Sequence, residues 1–287
     1  MTSLPQADGK RKRGFDWSNL GIRAASAAVL APVALLLVWW DQRAFLVLVA
    51  VAVSLISIEW GMMAAPRAQV RVATVVTLSV LTVVFLTYAG RYHPAWACVA
   101  VGALAAGAVA RNGAERAVDA AYGVLYIAPT CLALVWLRST VQGDWWTLML
   151  LATTWAADIF AFLVGNALKG PKLWPRYSPN KTWSGFFGGL AGAVAVAVAV
   201  AAVNAMFFPA APMRLSMGGA AVIGLAGGLA TMAGDLWESM LKRRFGVKDS
   251  GDLIPGHGGL LDRVDGLMFA TMAFAGARLV VHYGWAH

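Results

Sequence analysis

Long apolar stretches recur along the whole 287-residue chain, and they constrain its fold more than any other feature. A helix needs roughly 17 or more apolar residues to cross the hydrocarbon core of a bilayer. Nine stretches reach about that length: residues 24–40, 44–63, 72–90, 94–110, 120–137, 145–165, 185–208, 215–234 and 264–283. They leave too few residues for a separate soluble domain. We therefore predict an all-α, polytopic integral membrane protein with about nine transmembrane helices.

Composition supports this prediction. Only 13% of the residues are charged, whereas an ordinary soluble domain has roughly 25%, which excludes a plain water-soluble enzyme. Between Ala191 and Val200 the sequence alternates Ala and Val with the period of a strand. The alternation lies inside a much longer apolar run, so length favours a helix there.

Lys and Arg residues are divided unequally between the two sides of the predicted bundle. If the N-terminus is cytoplasmic, 18 of the 23 fall on the cytoplasmic side, four fall on the other side, and Arg278 lies inside the last span. This bias satisfies the positive-inside rule. We therefore expect a cytoplasmic N-terminus, with both long connections, 166–184 and 235–263, on the cytoplasmic face.

Two carboxylates fall within predicted spans, near the ends that this topology makes cytoplasmic. An intramembrane charge costs about 3 kcal/mol unless it meets a cation or a water-filled cavity. Asp158 is therefore a functional candidate, and the alternative is a buried contact that assembles neighbouring helices. Glu59 is equally well interpreted as functional or as a side chain that reaches the headgroup layer.

A second group of polar residues follows the eighth span, where the sequence continues as a helix. Asp235, Glu238, Ser239 and Lys242 are spaced i, i+3, i+4 and i+7, so a helix displays them on one face. This face is either a functional cluster or a ladder of surface ion pairs.

The segment before the ninth span is rich in turn-forming residues, namely Gly251, Pro255, Gly256, Gly258 and Gly259. Glycine backbones can approach a phosphate closely and offer their N–H groups to it. His257 lies in this turn and is either an acid/base group or a partner in a loop hydrogen bond. Asp262 and Asp265 share a helix face, and together with Asp235 they would supply the hard oxygen ligands that Mg²⁺ prefers.

The other long connection, 166–184, mixes four cations with hydroxyl and amide side chains just before a helix. Hydroxyls there can cap the helix N-terminus, and the helix dipole favours an anion. The connection indicates either phosphate binding or a basic loop that only sets topology.

These motifs resemble those of the phosphatidate cytidylyltransferases, also called CDP-diacylglycerol synthases. The resemblance depends first on residues 239–265, which contain Ser-x-Leu-Lys-Arg, Lys-Asp-x-Gly and Ile-Pro-x-His-Gly-Gly-Leu-x-Asp-Arg-Val-Asp. It extends to Ser-Pro-Asn-Lys-Thr-Trp at 178–183, to Asp158 and to Gly234-Asp235-Leu236. Ser184 stands where many members of the family have Glu.

The resemblance implies an enzyme that converts CTP and phosphatidic acid into CDP-diacylglycerol and pyrophosphate. It implies a cofactor, Mg²⁺, alone or with a second cation, held by Asp235, Asp262 and Asp265. It implies three catalytic residues: Ser239, Lys242 and Asp262. The implied substrate-binding residues are Asp158, Ser178, Asn180, Lys181, Thr182, Arg243, Lys248, Asp249, His257 and Arg263.

The same resemblance implies a multi-pass protein of the cell inner membrane, with membrane lipids as surroundings and no nucleic-acid partner. The expected organisation is a basic tail (1–23), N-terminal transmembrane helices (24–140) and a C-terminal transmembrane catalytic region (141–287). The resemblance favours a homodimer. Glycine pairs with small-xxx-small spacing would serve either a dimer or packing within one chain; they are Gly185/Gly189, Gly188/Gly192 and Gly224/Gly228.

Two other functions remain open from the sequence alone. A cation-coupled membrane transporter would also place carboxylates such as Asp158 and Glu59 within the membrane. A catalytically inactive scaffold would keep the spans without needing Asp235 or Asp262.

Overall fold

The computed structural model of the protein describes residues 31–209, 213, 215–251 and 258–284. The described residues form nine helices and one two-stranded hairpin. The helices are α1 Ala31–Trp40, α2 Gln42–Ala64, α3 Gln69–Tyr88, α4 Tyr92–Asn112, α5 Ala117–Ser139, α6 Gly143–Leu168, α7 Trp183–Phe207, α8 Met217–Arg244 and α9 Leu261–Gly284. The strands are β1 Lys172–Trp174 and β2 Ser178–Thr182.

Eight of these helices, α2 to α9, are long and apolar enough to cross a membrane. This confirms the prediction of an all-α polytopic membrane protein, and each predicted span from the second to the ninth lies on one helix. The described part of the first predicted span, 24–40, is the short helix α1. Residues 24–30 and the basic tail 1–23 lie outside the described residues.

Polar residues correctly predict the C-terminal end of α8 and the N-terminal start of α7. The α8 helix continues past its apolar run to Arg244, as the spacing of its polar face indicates. The α7 helix begins after Thr182, whose hydroxyl accepts a hydrogen bond from the Gly185 amide at 3.2 Å. That contact satisfies one of the amides that a helix N-terminus leaves free.

The sequence did not indicate the hairpin. Strands β1 and β2 are antiparallel, and Lys172 pairs with Thr182 while Trp174 pairs with Ser178 across an irregular register. The strands are short, Pro175 follows β1 and Pro179 lies within β2, so no alternating pattern of useful length exists.

Small residues let the C-terminal helices pack closely. A side chain built on Gly189 would approach the Ala157 carbonyl of α6 to 2.7 Å, and one on Gly224 would approach the Ala193 carbonyl of α7 to 2.9 Å. The glycine spacing therefore serves packing within one chain, of α7 against α6 and of α8 against α7. The α9 helix in turn contacts α5, which joins this half to the N-terminal helices.

Candidate active site

The polar residues meet at one end of the helix bundle. Four helix ends converge there, because neighbouring helices run in opposite directions: the C-terminal ends of α6 and α8, and the N-terminal ends of α7 and α9. A cavity of about 750 Å³ lies between α6, the hairpin, α7 and α8, and we call it the hairpin cavity. Its polar lining includes Asp158, Asn166, Lys169, Lys172, Lys181 and Asp235.

One ion pair crosses the hairpin cavity. The Lys181 ammonium on β2 lies 2.6 Å from Oδ2 of Asp235 on α8, and the two side chains are 30% and 23% exposed. Asp158 on α6 lies within electrostatic range of both residues and of Arg263 on α9. The hairpin thus brings a cation from a surface connection to two carboxylates on membrane helices.

A second ion pair, more buried than the first, lies between α8 and α9. The Lys242 ammonium contacts Asp262 directly and lies 3.7 Å from Oε1 of Glu238, with Lys242 14% and Asp262 9% exposed. The carboxyl group of Asp265 is a neighbour of Glu238 and lies within electrostatic range of Asp235. Asp265 therefore stands between the two ion pairs.

Two glycines explain why α8 and α9 approach closely at this point. A Cβ at Gly234 would lie 2.4 Å from the Asp265 carbonyl oxygen, and a Cβ at Gly266 would lie 2.7 Å from the Thr231 methyl group. Each residue therefore needs a hydrogen in place of a side chain. Because these glycines adjoin Asp235 and Asp265, the close contact is also what brings the two carboxylates together.

Asp262 is held on both carboxylate oxygens. Oδ1 accepts from Lys242, while Oδ2 accepts from the Ser250 amide and hydroxyl, both at 2.9 Å, and from the Gly259 amide at 3.2 Å. We call these four residues the α8–α9 junction. Gly259, one of the described glycines of this turn, thus directs its N–H to a protein carboxylate, although the sequence pattern suggested a phosphate cradle.

Glu238 differs sharply from Asp262. Its side chain is 1% exposed, and its carboxylate group meets the Lys242 ammonium at 3.7 Å and the carboxyl group of Asp265. No backbone amide of the described residues donates a hydrogen bond to it. Buried polar atoms are normally partnered by protein or by something bound. Its neighbours include Asp235 and Asp265, so the carboxylates are in excess here and their oxygens suit a hard cation.

The described residues do not contain a group of three or more His, Cys, Asp and Glu side chains already placed to hold a metal ion. Mg²⁺ is commonly bound through only one or two carboxylates together with waters and substrate phosphates, so such a cage is not required. Asp235 and Asp265, with Glu238 as their neighbour, fit this donor set. Asp262 already accepts hydrogen bonds on both oxygens, most of them on Oδ2, and its metal role remains a prediction.

The remaining predicted site residues are placed as follows. Asn180 and Thr182 line the hairpin cavity, and Ser178 pairs with Trp174 at the far end of the hairpin. Ser239 is half-buried on α8, whereas Arg243, Lys248, Asp249 and Arg263 are exposed. His257 lies outside the described residues.

Sequence reasoning missed three contributors to this site. Asn166, Lys169 and Lys172 line the cavity, and Lys169 is held there because its carbonyl accepts a hydrogen bond from the Ser184 hydroxyl. The two lysines were counted only as charges of a basic loop. Their place in the cavity depends on the hairpin, which had no signal of its own.

Comparison with known proteins places this geometry in a family. The sequence profile of the cytidylyltransferase family matches residues 21–280. The chain is 39% identical over 263 residues to a Brucella melitensis biotype 1 protein named phosphatidate cytidylyltransferase, covering 88% of this chain and 91% of that protein. It is 36% identical over 278 residues to a protein of the same name from Pseudomonas aeruginosa, covering 92% and 97%. The chain therefore belongs to the cytidylyltransferase family.

Proposed function

We propose that this protein is a phosphatidate cytidylyltransferase, a nucleotidyltransferase that makes CDP-diacylglycerol and pyrophosphate from CTP and phosphatidic acid in phospholipid biosynthesis. The observation that carries the proposal is the Lys181–Asp235 pair at a large cavity among membrane-spanning helices, in a chain whose full-length relatives bear that name. Neither the family nor these relatives support the transporter hypothesis.

The reaction needs little help with proton removal. An oxygen of the lipid phosphate attacks the α-phosphorus of CTP, the bond from that phosphorus to the β-phosphate oxygen breaks, and pyrophosphate leaves. A phosphomonoester is largely dianionic at pH 7 because its second pKa is about 6. The nucleophile is therefore already charged, and the main barrier is repulsion between two polyanions.

The cations of the site answer that repulsion. Lys181 pairs with Asp235 at the cavity and can exchange this partner for a phosphate oxygen, since its side chain is 30% exposed. Asp158 orients Lys181 and Arg263 by charge. Lys242 is more buried and stays fixed by Asp262 and Glu238, so it supplies a constant positive charge at the α8–α9 side.

Mg²⁺ is part of the proposal. Asp235 and Asp265, with the buried carboxylate of Glu238 beside them, are the residues that would hold it. The ion would neutralise charge on the transferred phosphoryl group and the leaving pyrophosphate. A second cation and a role for Ser239 in lining this position remain parts of the same proposal.

We further propose that the site faces the cytoplasm of a cell whose inner membrane holds the protein. The support is the excess of Lys and Arg on that side of the predicted topology, where CTP is available.

A homodimer is proposed from the family resemblance alone. Light scattering of the purified protein in detergent, corrected for bound detergent, would give the number of chains.

The activity is tested with purified protein in detergent, supplied with CTP labelled in its base, Mg²⁺ and phosphatidic acid. The expected result is label in the lipid phase and one pyrophosphate released for each labelled lipid. Lys181→Ala should remove most of this signal. Arg116→Gln serves as the matched control because it removes a positive charge outside the cavity.

Absence of labelled lipid from folded protein, in an assay where a known enzyme of this activity works, would contradict the proposal. Equal label with diacylglycerol in place of phosphatidic acid would contradict the proposed nucleophile.

A further inference from the structure

Glu59 of α2 lies in the N-terminal half of the chain, where the sequence carries no recognised motif, yet its carboxylate contacts the α8–α9 connection. Its Oε1 accepts from the Leu260 amide at 2.7 Å, and its Oε2 accepts from the Leu261 amide at 2.7 Å. Oε2 also accepts from the Ser250 hydroxyl at 3.2 Å. The Glu59 side chain is fully buried.

These contacts bind the first turn of α9. Leu261 is its first residue, and amides at a helix N-terminus have no partner within the helix. A carboxylate there satisfies two such amides and interacts favourably with the helix dipole. Within the described residues, the Glu59 carboxylate accepts hydrogen bonds from two backbone amides and one hydroxyl. Its negative charge therefore stabilises the backbone at the start of α9.

The glycines of the connection are shaped around this carboxylate. A Cβ at Gly259 would lie 1.9 Å from the Ser250 hydroxyl oxygen and 3.0 Å from the Glu59 carboxylate carbon. A Cβ at Gly251 would lie 3.1 Å from Cγ of Glu59. Glycine at these two positions of the motif therefore leaves room for the side chains of Glu59 and Ser250.

Ser250 connects Glu59 to the candidate active site. Its hydroxyl lies 3.2 Å from Oε2 of Glu59 and 2.9 Å from Oδ2 of Asp262. A hydroxyl has one proton, so it donates fully to only one of these carboxylates at a time. The Ser250 amide keeps its own bond to Asp262, and Asp262 in turn holds Lys242.

We propose that Glu59 is a positioning residue for the transfer reaction: it fixes the start of α9 and Ser250 so that Asp262 holds Lys242 at the site. This inference depends on the proposed function for its kinetic consequence, while its structural part stands on the contacts alone. The N-terminal helices thereby contribute directly to the geometry of a site that otherwise belongs to α6 to α9.

Glu59→Gln is the first test, since glutamine is nearly isosteric. The glutamine side chain carries an NH₂ group in place of one carboxylate oxygen. This NH₂ group would face the backbone N–H of Leu260 or Leu261, so one hydrogen bond is lost and two donors face each other. We expect kcat with CTP and phosphatidic acid to fall at least about tenfold. Hydrogen exchange should rise in peptides covering residues 247–263, while peptides of α6 and α7 stay unchanged.

Ser250→Ala removes only the connecting hydroxyl and serves as the second variant in case Glu59→Gln folds poorly. If the two residues act as one unit, the double variant should lose much less activity than the product of the single losses. Glu115→Gln is the matched control. Glu115 also accepts a hydrogen bond from the backbone of another segment, the Arg67 amide at 2.7 Å, and its loss should leave kcat within about twofold.

A merely structural Glu59 gives a different result. In that case Glu59→Gln would raise hydrogen exchange throughout α2 to α5 and lower the thermal midpoint, while kcat per folded molecule would stay normal. That result would overturn the proposal. Unchanged exchange at 247–263 in Glu59→Gln would also overturn it. If the wild-type protein makes no CDP-diacylglycerol, the proposed function fails separately, and the exchange measurement still decides whether Glu59 holds the junction.

Discussion

The hairpin cavity and the α8–α9 junction lie side by side, but they hold their charged groups in different ways. In the cavity, Lys181 and Asp235 are 30% and 23% exposed. At the junction, Lys242 and Asp262 are 14% and 9% exposed, and Asp262 has partners on both oxygens. An accessible ion pair can exchange partners with a substrate, whereas a buried and fully bonded one preserves geometry. We therefore expect Lys181 and Asp235 to bind substrate, and Lys242 and Asp262 to hold the geometry of the site.

Asp262→Asn should have the largest effect, because it breaks the junction at its centre. The asparagine amide would face either Lys242 or the amides of Ser250 and Gly259, and a buried ammonium would lose its closest carboxylate. Breaking a buried pair costs about 3–5 kcal/mol. An equal loss of transition-state stabilisation would lower turnover by about 200- to 5,000-fold. Membrane insertion should persist. A near-normal rate of lipid-linked nucleotide formation would refute the division drawn here.

Lys181→Ala should come next and should act on substrates without loosening the fold. The loss of a charge-assisted contact to phosphate predicts a decrease in kcat/KM of about a hundredfold. The thermal midpoint in detergent should change little, since both partners are part-exposed. If the variant instead unfolds while retaining kcat/KM, the cavity pair is structural.

Gly259→Ala should have an intermediate effect that is confined to the junction. Its new Cβ would overlap the Ser250 hydroxyl oxygen, at 1.9 Å, and such overpacking costs about 1–3 kcal/mol. We expect lower activity and faster hydrogen exchange around residues 247–263. Gly218→Ala is the control, because nothing lies within 4 Å of a Cβ built there. Equal behaviour of the two variants would contradict the crowding argument.

Arg116→Gln should have the smallest effect, although it removes a charge at the same end of the bundle. Arg116 is 77% exposed and lies 3.7 Å from Asp119, which also contacts Arg244. Because Arg116 is solvated and Asp119 keeps Arg244 as a partner, the loss of this contact should cost less than about 1 kcal/mol. Thermal midpoint and activity should both remain close to wild type. A large loss of activity would extend the site to the start of α5.

The sequence predicted the spans well because hydropathy and length decide a transmembrane helix locally. It also predicted the continuation of α8 and the common face of Glu238 and Lys242, since both follow from helical spacing. It did not predict the hairpin, whose strands are too short for a periodic signal. The cavity positions of Lys169 and Lys172 depend on that hairpin, so they were not predicted either.

Glu59 shows the limit of local reasoning most clearly. The sequence made it an intramembrane carboxylate with two equal interpretations, because its partners lie about 200 residues further along the chain. The glycines of the α8–α9 connection suggested a phosphate cradle, yet the described ones face a carboxylate and a hydroxyl of the protein.

By itself, the sequence determined that this chain is a bundle of membrane-spanning helices and that its polar motifs are those of a cytidylyltransferase. Both results depend on short-range chemistry, namely how many apolar residues follow one another and which polar residues stand at fixed spacings. Only the tertiary structure decided which charges are accessible and which are locked. Burial and hydrogen-bond partners are set by how the helices pack, including the contact of α2 with the start of α9. The close approaches at Gly234 and Gly259 do not follow from local spacing.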